Sequence, residues 1–206
     1  MASRTRDALI ELATRLLDGG GVEAVTLREV GRLAGVSHNA PYKHFASKEA
    51  LLAAIAAREL AEQTAVVAAA AEASPTPEDA LRAAMHDYIA WAHRRPARFK
   101  LIFGAWNIDS PELEAAAHAA QVTLVELVAG VQESGRLPTG DPERMSSLLR
   151  ALAHGAADLA AAGHLDGDGK GHASPAGLVD DLLDYLHTAT LREAHAVAPG
   201  QPSRAR

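Results

Sequence analysis

The chain has 206 residues, enough for one or two full-sized cores, and its 48% hydrophobic and 22% charged residues are the balance of a soluble globular protein. It has no cysteine, which excludes disulfides, thiolate nucleophiles and thiol-based redox sensing. Alanine dominates, aromatics are 4%, and β-branched runs are few, so the expected fold is all-α. No apolar run is long enough to span a bilayer, and Arg4, Arg6, Asp7 and Glu11 interrupt any signal-like core at the N-terminus. The expected location is the cytoplasm, with no membrane partner.

In chain order, Leu9, Leu12, Ala13, Leu16 and Leu17 recur as one buried helical face, which predicts a helix from about Arg4 to Asp18, ended by Gly19-Gly20-Gly21. Thr26 and Glu29 have capping-box spacing and open a second helix, in which Leu27, Val30 and Leu33 or Ala34 face inward. Gly35 ends it at a position suited to positive φ, and Val36 is placed to fill the angle between two helices. A short third helix, about Ser37 to Phe45, follows with Pro41 near its first turn. Its side chains are mostly polar: His38, Asn39, Tyr42, Lys43 and His44 can all donate hydrogen bonds to phosphates or base edges. Ser47 caps a long helix that runs without a breaker toward Ala73, and Lys48 in its first turn opposes the helix dipole unless an anion lies nearby.

Two short helices around a glycine turn, followed at once by a third helix start, have the order of a helix-turn-helix. GVSHNAPYKHFASKEALL resembles the signature of the tetracycline-repressor (TetR) family of transcriptional regulators, and the resemblance covers roughly Arg6 to Leu60. Pro41 departs from the family pattern, in which a larger apolar residue is common. The resemblance implies a DNA-binding domain over 1–60 that contacts duplex DNA through Thr26, Arg28, Ser37, His38, Asn39, Tyr42, Lys43, His44 and Lys48. Tyr42, Lys43 and Lys48 are expected on phosphates and His38 and Asn39 on base edges, with Thr26, Arg28 and His44 as further positioning contacts. Residues 1–60 hold 8 Lys/Arg against 7 Asp/Glu, net +1, whereas the remainder holds 12 against 19, net −7. Binding through a few local contacts is therefore expected, in place of a general polycationic field.

Beyond residue 60 the punctuation is regular: Thr76-Pro77, Ser110-Pro111, Asp141-Pro142 and Ser174-Pro175 each pair a good cap with proline at the first helical position. They predict helices from Pro77 to about Arg94, 111 to Ser134, 142 to Ala162 and 175 to about His195, with a short one over Ala97 to Ala105. The total is about nine helices. The order resembles the TetR family again, which implies an effector-binding and dimerisation bundle over 61–196; a disordered tail is expected over 197–206. WAHRRPARFKLIFG and the later ALAHGAADL also resemble a subgroup of that family named for a Trp-His-Gly motif, here Ala153-His154-Gly155.

The scarce aromatics gather in the middle of the chain. Tyr88, Trp91, Phe99, Phe103 and Trp106, with Met85 and Ile102, line an effector cavity in one reading and an ordinary core in the other. His154 in an apolar helix either meets the effector or is satisfied inside the core. On the last two helices, Leu148, Leu149, Leu152, Ala156 and Leu159 form one face and Leu178, Leu182 and Leu186 another. These faces pair two copies or complete each monomer's core. A homodimer would present two reading helices to a near-palindromic operator, about 34 to 36 Å apart.

The expected activity is repression relieved by an apolar or amphipathic small-molecule effector, with the helix after Ser47 as lever. An activator or a metal- or stress-responsive regulator of the same fold is the alternative. No cofactor, metal site or catalytic residue is expected: His86 and His93 lack a third ligand, the Asp166–Gly171 run lacks the acid a calcium loop needs, and no nucleophile-elbow or phosphate-loop pattern occurs.

Overall fold

A computed structural model describes residues 2–197, with side chains over 4–192; the rest of the expected tail, 198–206, lies outside the described residues. The described chain is all-α: α1 (Ala2–Ala24), α2 (Leu27–Leu33), α3 (Lys48–Ala73), α4 (Pro77–Arg94), α5 (Pro96–Ile102), α6 (Pro111–Glu133), α7 (Pro142–Ala161) and α8 (Pro175–Val197). The difference from about nine helices lies at Ser37 to Phe45, where a 3-10 turn, Pro41–Lys43, stands in place of an α-helix.

Each of the four cap-proline pairs starts a helix. Thr76 accepts from the Asp79 N–H at 3.1 Å, Ser110 from Leu113 at 3.4 Å, Asp141 from Glu143 at 2.9 Å and Ser174 from Gly177 at 3.0 Å. The stops are equally local. After α2, Gly35 (φ 64°) lets its own N–H reach the Arg32 carbonyl and the Val36 N–H reach Gly31. Those two bonds satisfy carbonyls that the helix end leaves open, and they need a left-handed residue between them. The same pair of bonds closes α6 at Gly135 and α7 at Gly163. In α1 the triple glycine breaks the regular geometry at Gly20 and Gly21, after which one more turn carries the chain to Ala24.

The described chain divides into two compact units. One comprises the residues up to 68 with 90–123, the other 69–89 with the residues from 124 on. The first is built on Leu9, Ile10, Ala13 and Leu17 of α1, Val25, Leu27, Val30 and Phe45, Leu51 and Ile55 of α3, and Leu101 of α5. Leu12 and Leu16 sit half-buried at its margin. In the second, Leu81, Met85 and Ile89 of α4 meet Val128 and Val131 of α6, Leu149 and Ala153 of α7, and Val179 and Leu183 of α8. Fully burying one such side chain contributes about 1.5–3 kcal/mol before entropy is counted. None of the described helices is long and apolar enough to cross a membrane.

Candidate nucleic-acid interface

Thr26 opens α2 by accepting from the Glu29 N–H at 3.1 Å. The reciprocal half of the capping box does not form. The Glu29 carboxylate instead takes both Nε and Nη2 of Arg32, at 2.9 and 2.6 Å, a fork geometry that a neighbouring guanidinium offers more strongly than a lone backbone amide. That hydrogen bond holds Glu29 below the usual carboxylate range.

Residues 37–45 wind as consecutive tight turns: the Ala40 N–H bonds Ser37, Lys43 bonds Ala40, and His44 and Phe45 both bond Pro41. An α-helix through this stretch needs the N–H of residue 41 on the Ser37 carbonyl, and proline has none. What the segment loses in regularity it recovers by packing. Pro41 is buried on Gly31 of α2, so closely that a Cβ on Gly31 would stand 2.8 Å from Pro41 Cγ. Phe45 is 3% exposed, and Arg6 of α1 lies over its ring, 5.4 Å from the centroid.

On this base the expected contact residues face solvent. Thr26, Arg28, Ser37, His38, Asn39, Tyr42 and Lys43 are exposed, and His44 and Lys48 are half-buried. His38 and Tyr42 meet edge to face at 5.9 Å between ring centroids. Lys48 does have an anion nearby: Glu23 at 3.9 Å, on the residues that lead into α2. Ser47 caps α3 through the Ala50 N–H, as its spacing implied. The turn thus presents hydroxyl, amide, imidazole and ammonium donors, a set that suits phosphate oxygens and the acceptor-rich edges of base pairs.

The residues expected around an effector fall into both units. Trp91, Phe99, Ile102, Phe103 and Trp106 belong to the first, where Trp91, Phe99 and Phe103 form an aromatic row with centroid spacings of 6.0 and 5.3 Å. Two indole N–H groups there are engaged: Trp91 donates to the buried carboxylate of Glu59 at 2.6 Å and Trp106 to the Ile102 carbonyl at 3.2 Å. Met85, Tyr88 and His154 belong to the second unit, where the Tyr88 hydroxyl and His154 Nδ1 are 2.9 Å apart. Burial pushes the Tyr88 phenol well above its ordinary range, so the pair exchanges a hydrogen bond with a neutral tyrosine.

Of the residues expected to pair two copies, Leu149 and Ala156 are buried within the single chain, and Leu152, Leu178, Leu182 and Leu186 are half-buried. Leu148 and Leu159 are exposed, and so is Tyr185, a residue the leucine pattern passed over because it is not aliphatic. A charged cluster also escaped sequence reasoning. Arg82 of α4 binds Asp180 and Asp184 of α8 and Glu78 of its own helix, Arg136 binds Glu78 from the other side, and His86 is 2.9 Å from Asp180. Only the charge signs were legible in advance, not which turns of α4 and α8 would meet.

Comparison with known proteins matches two stretches of the chain. Residues 9–55 match the family described as "Bacterial regulatory proteins, tetR family", and residues 81–186 match "Tetracyclin repressor-like, C-terminal domain". The HTH-type transcriptional regulator BetI of Rhizobium meliloti (strain 1021) is 37% identical over 78 residues, a stretch that spans 38% of this chain and 38% of that protein. A solved structure of a protein with unknown function from Rhodococcus sp. RHA1 is 30% identical, covering 90% of this chain and 94% of that one, with a TM-score of 0.77. AibR, solved in complex with isovaleryl coenzyme A and operator DNA, shares the fold at 18% identity and a TM-score of 0.64 over 89% of this chain and 98% of its own. With a donor-lined turn at the front and family matches over both parts, the chain belongs to the TetR family of DNA-binding transcriptional regulators.

Proposed function

We propose that the chain is a homodimeric repressor that leaves a near-palindromic operator when a small apolar or amphipathic effector binds. The observation that carries this reading is the turn at 37–45, whose apolar residues Pro41 and Phe45 are locked inward while His38, Asn39, Tyr42 and Lys43 are offered to solvent. Residues 1–60 act as the DNA-binding domain and 61–196 as the sensing and pairing domain, in the cytoplasm. Tyr42, Lys43 and Lys48 hold phosphates, His38 and Asn39 read base edges, and Thr26, Arg28, Ser37 and His44 position the turn.

The effector site centres on Met85, Tyr88 and His154, where a hydroxyl–imidazole pair borders an apolar core and can hydrogen-bond the polar end of an otherwise greasy molecule. AibR, with its acyl thioester and its operator, is a precedent for that pairing of ligands on this fold. Two copies meet through α7 and α8 at Leu148, Leu152, Leu159, Leu178, Leu182 and Tyr185. Release requires an effector that prefers the DNA-incompetent form, and a preference of about 1–3 kcal/mol lowers operator affinity 5- to 150-fold.

The test is selection from a random duplex pool followed by titration at several salt concentrations. Wild-type protein is expected to enrich a near-palindrome, and Lys43→Ala to bind it more weakly with a shallower salt slope. No enriched sequence from the dimeric protein would sink the reading.

A further inference from the structure

Helix α1 is gripped at both ends by arginine ion pairs. Near its C-terminal end, Arg98 of α5 places Nε and Nη2 on the Asp18 carboxylate at 2.9 and 2.7 Å and Nη1 on Glu59 of α3 at 2.7 Å. The other oxygen of Glu59 receives the Trp91 indole. Glu59 is 5% exposed, and these two donors satisfy its buried carboxylate oxygens. Near the N-terminal end, Arg6 pairs with Glu112 in the first turn of α6 and lies over Phe45. The two ties are 12 residues apart, about 18 Å of helix.

Their positions relative to the reading turn matter. Asp18 is the last residue before the triple glycine, beyond which the chain enters α2, and Phe45 closes the turn itself. Both borders of the helix-turn-helix are therefore attached to α1 or to its ties. Between α1 and α3 lies a cavity of about 200 Å³ lined by Glu11, Thr14 and Arg15 of one helix, Ile55, Arg58, Glu59 and Glu62 of the other, and Arg98. On that side, beside the apolar contacts of the core to which Ile55 belongs, Arg98 ties α1 to α3 through Asp18 and Glu59.

We propose that Arg98 and Arg6 are positioning residues for DNA recognition: through α1 they make the presentation of the reading turn depend on where α5 and the first turn of α6 lie. This rests on the DNA-reading function proposed above. An effector that shifts α5 or α6 then alters operator binding without touching the turn, as a second route beside the continuous helix α3.

The experiment uses the full chain and the duplex enriched by the wild-type protein. Arg98→Gln, Arg98→Lys and Glu112→Gln are titrated with that duplex and with an unrelated one, alongside thermal unfolding. In a Trp106→Phe background the remaining indole, Trp91, reports on Glu59 by its emission. Arg98→Gln is expected to weaken the enriched duplex about tenfold, within the range of coupling energies. The unrelated duplex, bound through phosphates alone, should change by less than about threefold. The Trp91 emission change on adding duplex should vanish in Arg98→Gln and return in part in Arg98→Lys. Glu112→Gln, at an exposed pair, should weaken the enriched duplex about two- to fivefold without loss of folding, which keeps the idea testable if Arg98→Gln fails to fold. Equal losses on both duplexes, or a Trp91 signal indifferent to Arg98, would overturn the proposal. Failure of the wild-type protein to enrich any duplex would instead remove the function on which it rests.

Discussion

Around the reading turn the polar side chains His38, Asn39, Tyr42 and Lys43 stand in solvent over a sealed apolar base of Pro41 and Phe45. On α7 and α8 the exposure is reversed: Leu148 is 58% exposed, Leu159 49% and Tyr185 71%, above a core that Leu149, Val179 and Leu183 already fill. Core demands alone account for neither surface. A donor-rich surface on a rigid base suits a hydrated polyanion, whereas apolar side chains left over after a core is complete suit another apolar surface, which in the function proposed above is a second copy of the chain. The two units thus point to different partners by the same test, what each leaves outside once its interior is satisfied.

The strongest way to break this contrast is to spoil one surface while leaving the other. Tyr185→Glu combined with Leu148→Glu should convert the dimer to monomer across a wide concentration range, as read by sedimentation, and should also abolish binding to a two-half-site duplex. Monomer that still binds such a duplex at full affinity would separate pairing from recognition and remove the need for a palindrome.

Next in size is Gly31→Ala. Its Cβ would stand 2.8 Å from Pro41 Cγ, and overpacking of this kind costs about 1–3 kcal/mol, visible as a lowered unfolding midpoint in denaturant. The pair substitution Gly31→Ala with Pro41→Ala should recover part of that stability. If Gly31→Ala alone is neutral, the proline seat is looser than the geometry implies.

Smaller again is Lys43→Ala, expected to reduce affinity on every sequence and to lower the salt slope by about one. Asn39→Ala sharpens the contrast from the other direction, since it should change which bases are enriched more than it changes affinity. An unchanged preference would reassign the base-reading role.

Acid provides the gentlest probe. The hydrogen bond from Arg136, helped by one from Arg82, holds Glu78 below the usual carboxylate range against the opposing effect of burial. A carboxylate lowered in the folded state stabilises that state above its unfolded value, near pH 4, and the contribution fades as pH falls through the lower, folded value. The thermal midpoint of Glu78→Gln should therefore fall short of wild type at pH 7 and converge with it in strongly acidic solution, a difference that calorimetry across pH resolves.

Much of this architecture was written locally. The four cap-proline pairs placed α4, α6, α7 and α8, the unbroken run after Ser47 placed α3 to Ala73, and Gly35 sat where positive φ was needed. Such signals act over a few residues and need no knowledge of the fold. The reading segment defeated the same reasoning because a helix prediction there counts propensities, and one absent N–H at Pro41 outweighs them. Gly31 went unnoticed for a related reason: its smallness matters only once Pro41 is folded onto it. Arg98, Glu59 and Trp91 lie 32 to 39 residues apart as donor and acceptor, so no periodicity joins them. Of the proposed DNA-contact set, the exposed polar run was visible as a run, while Arg6, packed over Phe45, was not.

The same self-contained helix ends limit how a signal moves through this molecule. Every α-helical stop at Gly35, Gly135 and Gly163 and every capped start from Pro77 to Pro175 is held by hydrogen bonds a few residues long, and lengthening or fraying one forfeits about 1 kcal/mol of cap. Winding and unwinding is accordingly the costly response. Rods that slide or tilt whole are the cheap one, and their far-ultraviolet dichroism should stay nearly constant while operator affinity collapses.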